Sequence, residues 1–359
     1  MADSIAHRRL AAQRLTSPTF RTPASVVSWF GAMQAQDYLG ALWAVGLRMA
    51  AATETLVERA LADRSIIRTW PMRGTLHFVA AADARWMLQV LGPRSLFRNA
   101  RRLKNEFDLD RAVFSRAEKV IVKALRDGRQ LQRDALYQLL DDAGIDTANQ
   151  RGLHIVFQLA HQQLICFGAR EGKQQTFALL DEWIPATRAW TREEALAEAA
   201  NRYFTSHGPA TVRDFAWWSG LTAGDSQEAL ALAQSGLEHE VIEGRTYWFA
   251  APRRAPAGPT PRSWLLPAWD EFTVAYKDRS AVIDPAHRTL AVTRNGIINA
   301  AMVVDGRVVG SWKRVLRNGQ VVITPGPFSP LPKAARAALV PAVRRYGQFL
   351  GVPAVLTGW

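Results

Sequence analysis

The pattern over residues 193–249 most constrains the fold of this chain. Its elements, in order, are helices at Glu193–Phe204, Thr211–Gly220 and 222–234, and strands at Leu237–Ile242 and Arg245–Phe249. Thr211 can cap the short helix and Gly220 can end it, because threonine satisfies free N–H groups and glycine accepts a left-handed backbone. The strands flank Glu243-Gly244, a hairpin signal. Helix-turn-helix followed by a β-hairpin predicts a winged-helix unit.

Two earlier stretches repeat this order less regularly. The middle stretch has helices at Arg116–Arg126, Arg133–Asp142 and Ala148–Gln162, and strands at Leu164–Ala169 and Gln175–Leu180. The first has helices at Ser4–Leu15, Ala24–Met33 and Thr53–Ala62, and strands at Ile66–Trp70 and Leu76–Val79. Because 359 residues exceed one ordinary core, a tandem arrangement is expected. We predict an α+β chain with winged-helix units at 1–112, 113–188 and 189–251.

The C-terminal part has a different pattern. Pro252–Pro261 contains four prolines and separates it from the third unit. Predicted strands follow at Thr289–Val292, Ile297–Val304, Arg307–Trp312 and Gln320–Thr324, with Asn-Gly and Asp-Gly turns at 295–296, 305–306 and 318–319. These dipeptides are strong hairpin signals. We therefore predict a mostly β region over residues 252–359.

The charge of the chain is concentrated in two stretches. The net charge is +13, of which residues 91–133 carry +7 and residues 245–345 carry +11, while the remainder sums to −5. Within the first stretch, a helix would place four arginines on one face: Arg94, Arg98, Arg101 and Arg102. Contact with nucleic-acid phosphates and a merely solvated helix face both explain such a pattern.

Several classes of site are excluded by the residue types present. Cys166 is the single cysteine and lies in an apolar run, and the seven histidines form no HxxxH or HExxH pair, so neither a disulfide framework nor a metal site is expected. Phosphate-binding glycine loops and a GxSxG elbow are missing, and no cofactor is predicted. Without an apolar leader or a run of about 18 apolar residues, the chain is expected to be cytoplasmic, with no membrane contact.

Two polar groups are candidates for chemistry. Adjacent Asp270 and Glu271 diverge in any regular structure, so a structural role is favoured, capping a turn or pairing with Arg279. Gln34 and Gln36 come where an apolar helix face ends. If the chain is extended there, both glutamines point to one side. Two glutamines near a helix end are also commonly just solvated.

The glutamine motif belongs to a wider resemblance. The matching segments are Gln34-Ala35-Gln36-Asp37, Gln13-Arg14-Leu15, Arg68–His77, Leu266–Asp270 and Val303–Trp312. Over nearly its whole length the chain resembles the AlkZ and YcaQ family of bacterial DNA glycosylases. The resemblance implies tandem winged helices that form a concave, C-shaped DNA-binding surface. It also implies hydrolysis of the N-glycosidic bond of bulky N7-alkylated purines in double-stranded DNA.

The resemblance assigns Gln34 and Gln36 as the catalytic pair. Because position 36 is Gln rather than Asp, the chain looks like the AlkZ branch, which implies self-resistance to a DNA-alkylating antibiotic. A carboxamide is too weak a base to take a proton, but it can orient water toward a sugar whose leaving base is already cationic. The first lysine is Lys104, so a Schiff base near the motif is not expected. We expect a monofunctional enzyme that acts as a monomer.

Other DNA contacts are expected by position. The candidates are Arg73, His77, Arg294, Asn295, Lys313 and Arg314, together with the four arginines of the basic helix. A core histidine remains an alternative for His77, and a structural hairpin for the turn at Arg294-Asn295. The competing hypotheses are a winged-helix transcription factor or other non-catalytic DNA-binding protein and a broad interstrand-crosslink-unhooking glycosylase. The first would leave the two glutamines dispensable.

Overall fold

The first stretch of the chain combines six helices with a three-stranded sheet. The computed structural model describes residues 2–251, 261–293 and 295–358. The elements are α1 (Ala2–Ala12), α2 (Pro23–Phe30), β1 (Ala32–Gln34), α3 (Tyr38–Gly46), α4 (Glu54–Ala62), β2 (Ile66–Met72), β3 (Thr75–Ala80), α5 (Ala84–Leu91) and α6 (Pro93–Phe107). The antiparallel sheet has the order β1-β3-β2. The predicted hairpin is therefore confirmed, and a third strand lies against β3.

The middle and third stretches each place helices before a hairpin. The middle stretch comprises α7 (Arg111–Leu125), β4 (Leu131–Gln132), α8 (Arg133–Asp142), α9 (Arg151–His161), β5 (Ile165–Glu171), β6 (Gln174–Leu179) and α10 (Leu180–Trp183). The third comprises α11 (Arg192–His207), α12 (Val212–Ser219), α13 (Ala223–Ala233), β7 (Glu238–Ile242) and β8 (Arg245–Phe249). The sheet orders are β4-β6-β5 and β7-β8. Both predicted hairpins are confirmed.

Local capping explains why helix α12 begins and ends where the sequence predicts. The Thr211 hydroxyl accepts a hydrogen bond from the backbone N–H of Asp214, and the Asp214 carboxylate accepts one from Thr211 in return. This reciprocal pair satisfies two N–H groups that a helix start leaves free. At the other end, Gly220 has φ 76°, the left-handed conformation that ends α12.

The C-terminal region is built on one mixed sheet. Its elements are β9 (Ser263–Leu266), α14 (Glu271–Val274), α15 (Arg288–Ala291), β10 (Ala301–Val304), β11 (Arg307–Arg317), β12 (Gln320–Pro327), α16 (Lys333–Leu350) and β13 (Ala354–Leu356). The sheet order is β13-β12-β11-β10-β9, with only the β12–β13 pair parallel among these strands. The mixed α+β fold is thus established. Of the predicted proline-rich segment Pro252–Pro261, residues 252–260 lie outside the described residues.

Two expectations for this region were wrong. The predicted strand Thr289–Val292 is helical over most of its length, because Asp284 caps a helical turn at Pro285–His287 that α15 continues. The region also contains α16, an 18-residue helix that the predicted β pattern omitted.

The hydrophobic core joins the first stretch to the C-terminal region. The Trp43 ring lies 5.0 Å from that of Tyr346, centroid to centroid, and its Nε1 donates to the carbonyl of Leu265 at 2.7 Å. All three residues belong to one buried hydrophobic cluster. Residues far apart in the chain are therefore fixed relative to each other around the first sheet.

A buried ion pair crosses the same junction. The two Asp270 carboxylate oxygens accept hydrogen bonds from Arg48 at 2.7 and 2.8 Å, and both side chains are completely buried. Asp270 also caps α14 through the backbone N–H of Phe272. The expected partner of the acidic pair, Arg279, instead donates from Nε to the Thr273 carbonyl. The capping expectation is confirmed for Asp270, but the expected ion pair was wrong because Arg48 fills the buried position beside it.

Among the described residues, no helix is both long and apolar enough to cross a bilayer.

Candidate active site

The two motif glutamines lie on extended backbone at the start of the first sheet. α2 ends at Gly31, whose φ of 77° favours glycine, and the chain enters β1 directly. The extended path continues past β1, since the backbone N–H of Ala35 donates to the Leu76 carbonyl at 2.7 Å. Ala35 is fully buried, Gln34 is half-buried and Gln36 is exposed. The helix break and the alternation expected from the motif are both present.

The two carboxamides have different hydrogen bonds. The Gln36 Oε1 atom accepts the backbone N–H of Leu76 at 3.2 Å, which leaves its amide group as a donor. The Gln34 Oε1 atom is buried and has no hydrogen-bond partner among the described residues. A buried carbonyl oxygen without a donor is uncommon in folded proteins, and this one remains free to accept a hydrogen bond from water or a ligand. Gln34 therefore offers an acceptor and Gln36 a donor.

The neighbouring strands place further polar side chains beside Gln34. Gln34 pairs with His77 on β3, and His77 pairs with Thr69 on β2, so the three side chains share one face of the sheet. Thr75 is two residues before His77 on β3 and projects from the same face. The hydroxyl oxygens of both threonines are buried and, in the part of the chain described, unpartnered. This face is polar, half-enclosed and incompletely hydrogen-bonded.

His77 is held as a neutral ring on this face. It is fully buried, and burial followed by the nearby Arg73 charge lowers the pKa of His77 to about 3. Its Nδ1 lies 2.8 Å from the Thr75 carbonyl, which can only accept, so Nδ1 carries the proton. Nε2 can then accept from Arg73, 3.3 Å away. His77 thus takes the core position that the sequence left as an alternative.

Glu271 closes the outer side of β1. Its Oε1 accepts the backbone N–H of Gln34 at 2.8 Å, and its Oε2 lies 3.2 Å from both His207 Nε2 and Trp218 Nε1. The side chain is 1% exposed. Burial alone would raise the pKa of Glu271, but hydrogen bonds from His207 and the Gln34 backbone outweigh burial and hold it below its usual range. A buried carboxylate anion is therefore attached to the glutamine motif.

Three of the predicted DNA-binding arginines line one cavity next to this sheet. Arg73, Arg94 and Arg98 surround a volume of about 530 Å³ together with Thr75 and Trp217. Arg94 also donates to the carbonyls of Gly220 and Leu221, which ties α6 to the end of α12. The lining contains no acidic side chain. The cavity is suited to an anion.

The remaining predicted residues lie elsewhere. Arg101 and Arg102 are exposed on α6 outside this cavity, and Arg102 pairs with Glu106 at 2.9 Å. Lys313 and Arg314 are on β11, with Lys313 exposed and Arg314 5.5 Å from the Tyr346 ring. Asn295 is in an exposed turn, and Arg294 lies outside the described residues. The structure thus places Gln34 opposite His77 and His77 next to Arg73, and it brings Arg73, Arg94 and Arg98 together in one cavity.

The described segments contain no set of side chains that could bind a metal ion. Within residues 2–251, 261–293 and 295–358, no three His, Cys, Asp or Glu side chains converge to hold an ion. Cys166 is buried in the core, where burial raises the pKa of its thiol.

The chain matches the family model described as DNA glycosylase AlkZ-like over residues 27–349. This match includes the glutamine motif, the first sheet and Glu271. The chain belongs to the AlkZ-like DNA glycosylase family. Its members hydrolyse N-glycosyl bonds in DNA, and this chain is a DNA glycosylase.

Two individual proteins show the extent of the similarity. An interstrand DNA cross-link repair glycosylase of Streptomyces sahachiroi is 29% identical over 336 residues, which cover 89% of each chain. The solved structure of Streptomyces sahachiroi DNA glycosylase AlkZ superposes with a TM-score of 0.78 at 24% identity, covering 99% of this chain and 98% of that one. The whole fold is therefore shared.

Glu271 is a residue of this candidate site that the sequence pattern did not assign to it. The acidic pair was visible, but its favoured role was structural. Glu271 and Gln34 are 237 positions apart, and no local pattern connects two residues so distant. The signal that could have identified Glu271 is its apolar surroundings in the sequence, since a charged residue within a buried segment needs partners.

Proposed function

We propose that this DNA glycosylase is a monofunctional enzyme that hydrolyses the N-glycosidic bond of bulky N7-alkylguanine. The observation that carries the proposal is the Oε1 of Gln34, which is buried and unpartnered among the described residues, two positions before Gln36, whose own Oε1 is already bonded to Leu76. The neutral His77 ring is also buried and does not reach the surface. The polar groups of the motif are carboxamides, which can orient water, and a lesion that is already cationic needs no acid to leave.

The bond changes follow from that charge. The C1′–N9 bond breaks, and its electron pair neutralises the positive charge of the alkylated guanine. Positive charge develops on the sugar, and a water oxygen bonds to C1′ and releases its proton to solvent. The products are the free alkylated base and an abasic site.

Each glutamine has its own part in this step. The Gln34 Oε1 accepts a hydrogen bond from the attacking water and fixes the direction of its lone pair. Gln36 is already held through Oε1 by Leu76, so its amide N–H groups donate to the sugar or phosphate of the damaged strand. Positioning the water is sufficient without a general base, because the alkylated guanine is already cationic and is therefore a good leaving group.

The basic residues hold the duplex around this site. The cavity of Arg73, Arg94 and Arg98 takes a phosphate of the strand next to the lesion. More distant phosphates are contacted by the residues outside that cavity, namely Arg101, Arg102, Arg294, Asn295, Lys313 and Arg314. We infer that three winged-helix units, 1–112, 113–188 and 189–251, present a concave surface to the DNA, with the region 252–359 beside them.

The proposed biological role depends on which lesions the enzyme repairs. The similarity to a protein named as an interstrand cross-link repair glycosylase supports activity on crosslinked guanines as well as single bulky adducts. We propose that the enzyme acts as a cytoplasmic monomer and protects its cell from a DNA-alkylating antibiotic. A broad crosslink-unhooking activity is the second candidate, and Gln rather than Asp at position 36 favours the narrower one.

The test is to incubate the enzyme with duplex DNA carrying one bulky N7-alkylguanine and to detect alkali-labile abasic sites. The wild type should convert the adduct, and the double variant Gln34→Ala/Gln36→Ala should bind the duplex without converting it. Gln138→Ala is the matched control, because Gln138 is an exposed glutamine on α8 that bonds to Asp142. Adduct left intact by the wild type, or converted fully by the double variant, would overturn the proposal.

A further inference from the structure

We propose that the carboxylate of Glu271 has two roles. It holds the backbone of Gln34 in place, and it stabilises the positive charge that develops on the sugar. This inference rests on the proposed hydrolysis of N7-alkylguanine. It adds a negatively charged group to a motif whose two recognised members are uncharged.

The positioning part follows from strand geometry. β1 pairs with β3 through alternate backbone groups, and the N–H of Ala35 points inward to Leu76. The N–H of Gln34 therefore points outward from the sheet, where none of the described strands pairs with β1, and Glu271 Oε1 accepts it at 2.8 Å. This hydrogen bond fixes the backbone from which the Gln34 carboxamide extends.

The electrostatic part follows from a comparison of two neighbouring acids. Asp270 is neutralised by the two-point hydrogen bond from Arg48. Glu271 instead accepts from the Gln34 backbone, His207 and Trp218, and no hydrogen bond from lysine or arginine to it is present in the described ranges. Burial lowers the pKa of His207, which favours a neutral ring. The charge of buried Arg73 attracts Glu271 through space without a hydrogen bond between them, so the Glu271 carboxylate, unlike that of Asp270, has no arginine among the described residues in direct contact.

A buried carboxylate without a directly paired arginine or lysine needs a reason. A neutral acceptor, such as a carbonyl oxygen, would satisfy the Gln34 N–H without the free-energy cost of removing an anion from water. Such groups cluster at functional sites, where a cation arrives during the reaction. Here the arriving cation is the sugar, since hydrolysis moves positive charge from the alkylated base to C1′. A fixed negative charge behind Gln34 lowers the energy of that state.

The test compares two DNA duplexes that mimic the abasic sugar with and without positive charge. One carries a pyrrolidine nucleotide, which is protonated, and the other carries a neutral tetrahydrofuran nucleotide. The wild type should bind the pyrrolidine duplex more tightly. Glu271→Gln keeps the size of the side chain but removes the charge, and it should reduce this preference about tenfold or more.

Glu193→Gln is the matched control, because Glu193 is an exposed acid on α11. It should leave the preference unchanged. An equal preference in wild type and Glu271→Gln would overturn the inference, because a merely structural role changes stability but not the response to sugar charge. If Glu271→Gln does not fold, Glu271→Asp is compared instead. It withdraws the charge by one methylene group, and an undiminished preference there also contradicts the inference.

The result is separable from the proposed function. Failure of the wild type to release base from N7-alkylguanine DNA would overturn the hydrolysis itself. Normal release by the wild type with an unchanged preference in Glu271→Gln would overturn only the role of Glu271.

Discussion

The Oε1 atom of Glu271 lies 2.8 Å from the backbone nitrogen of Gln34, although 237 positions separate the two residues. The contact joins the first sheet to the C-terminal region, and Arg48 and Asp270 make a buried ion pair across the same junction. The glutamine motif is therefore held by residues from both ends of the chain. We expect its geometry to depend on the integrity of that junction.

Removal of Arg98 should weaken DNA binding through the loss of one phosphate contact. Arg98 lines the cavity beside Thr75, and its guanidinium has no hydrogen bond or ion pair within the described residues. Arg98→Ala should raise Kd for unmodified and damaged duplexes alike and reduce the slope of log Kd against log salt by about 1. Fluorescence anisotropy over a salt series measures both quantities.

The comparison variant is Lys173→Ala, which removes an exposed cation from the β5–β6 turn and should leave the slope unchanged. The same slope in Arg98→Ala and wild type would contradict an Arg98–phosphate contact.

Breaking the Arg48–Asp270 pair should be strongly destabilising. Both side chains are completely buried, so either single variant leaves an unpaired charge in the core. Arg48→Met should lower the free energy of unfolding by about 3–5 kcal/mol. Urea unfolding followed by circular dichroism measures the change. The double variant Arg48→Met/Asp270→Leu should recover part of the loss, and a double variant less stable than the single one would contradict this explanation.

Stability should fall as the pH drops below the ordinary range of histidine. Burial lowers the pKa of His161 from 6.5 to about 4, so between these values only the unfolded chain takes up the proton. The free energy of unfolding then decreases with falling pH by at most about 1.4 kcal/mol per unit for each such ring. His77, whose pKa is lowered to about 3, adds to the same decrease.

Urea unfolding at about pH 7 and about pH 5 measures this decrease, since that interval contains the titration of an unperturbed histidine. His161→Leu removes one of the contributing rings and should make the decrease smaller. An identical decrease in His161→Leu and wild type would show that the buried ring does not cause it.

The parts of the fold that could be predicted are those encoded locally. The start of α12 at the Thr211 cap, its end at Gly220 and the three hairpins all occur where the sequence pattern predicts them. Each of these features depends on residues that are close together in the chain. The region after residue 280 was less predictable. α15 begins from a capped turn at Asp284, and the strand-like sequence Thr289–Val292 follows it into helix. The order of elements there depends on packing as much as on propensity.

The site was predictable only in part for the same reason. The exposure of Gln36 and the burial of Ala35 follow from the alternation of an extended strand. The unpartnered state of Gln34 Oε1 and the contact with Glu271 depend on how distant elements meet. Arg94 and Arg98 could be assigned to one helix face, but their meeting with Arg73 in one cavity depends on tertiary structure.

The measurement that tests the central claim most directly is the single-turnover rate of base release from a duplex with one bulky N7-alkylguanine. Gln34→Ala should lower this rate roughly 100-fold or more, because water loses its orienting acceptor, while Kd for the duplex changes little. Gln36→Ala should lower the rate and also raise Kd, because its amide contacts the strand. Rates for Gln34→Ala within about twofold of wild type, at equal Kd, would contradict the assignment of Gln34 as the group that orients water.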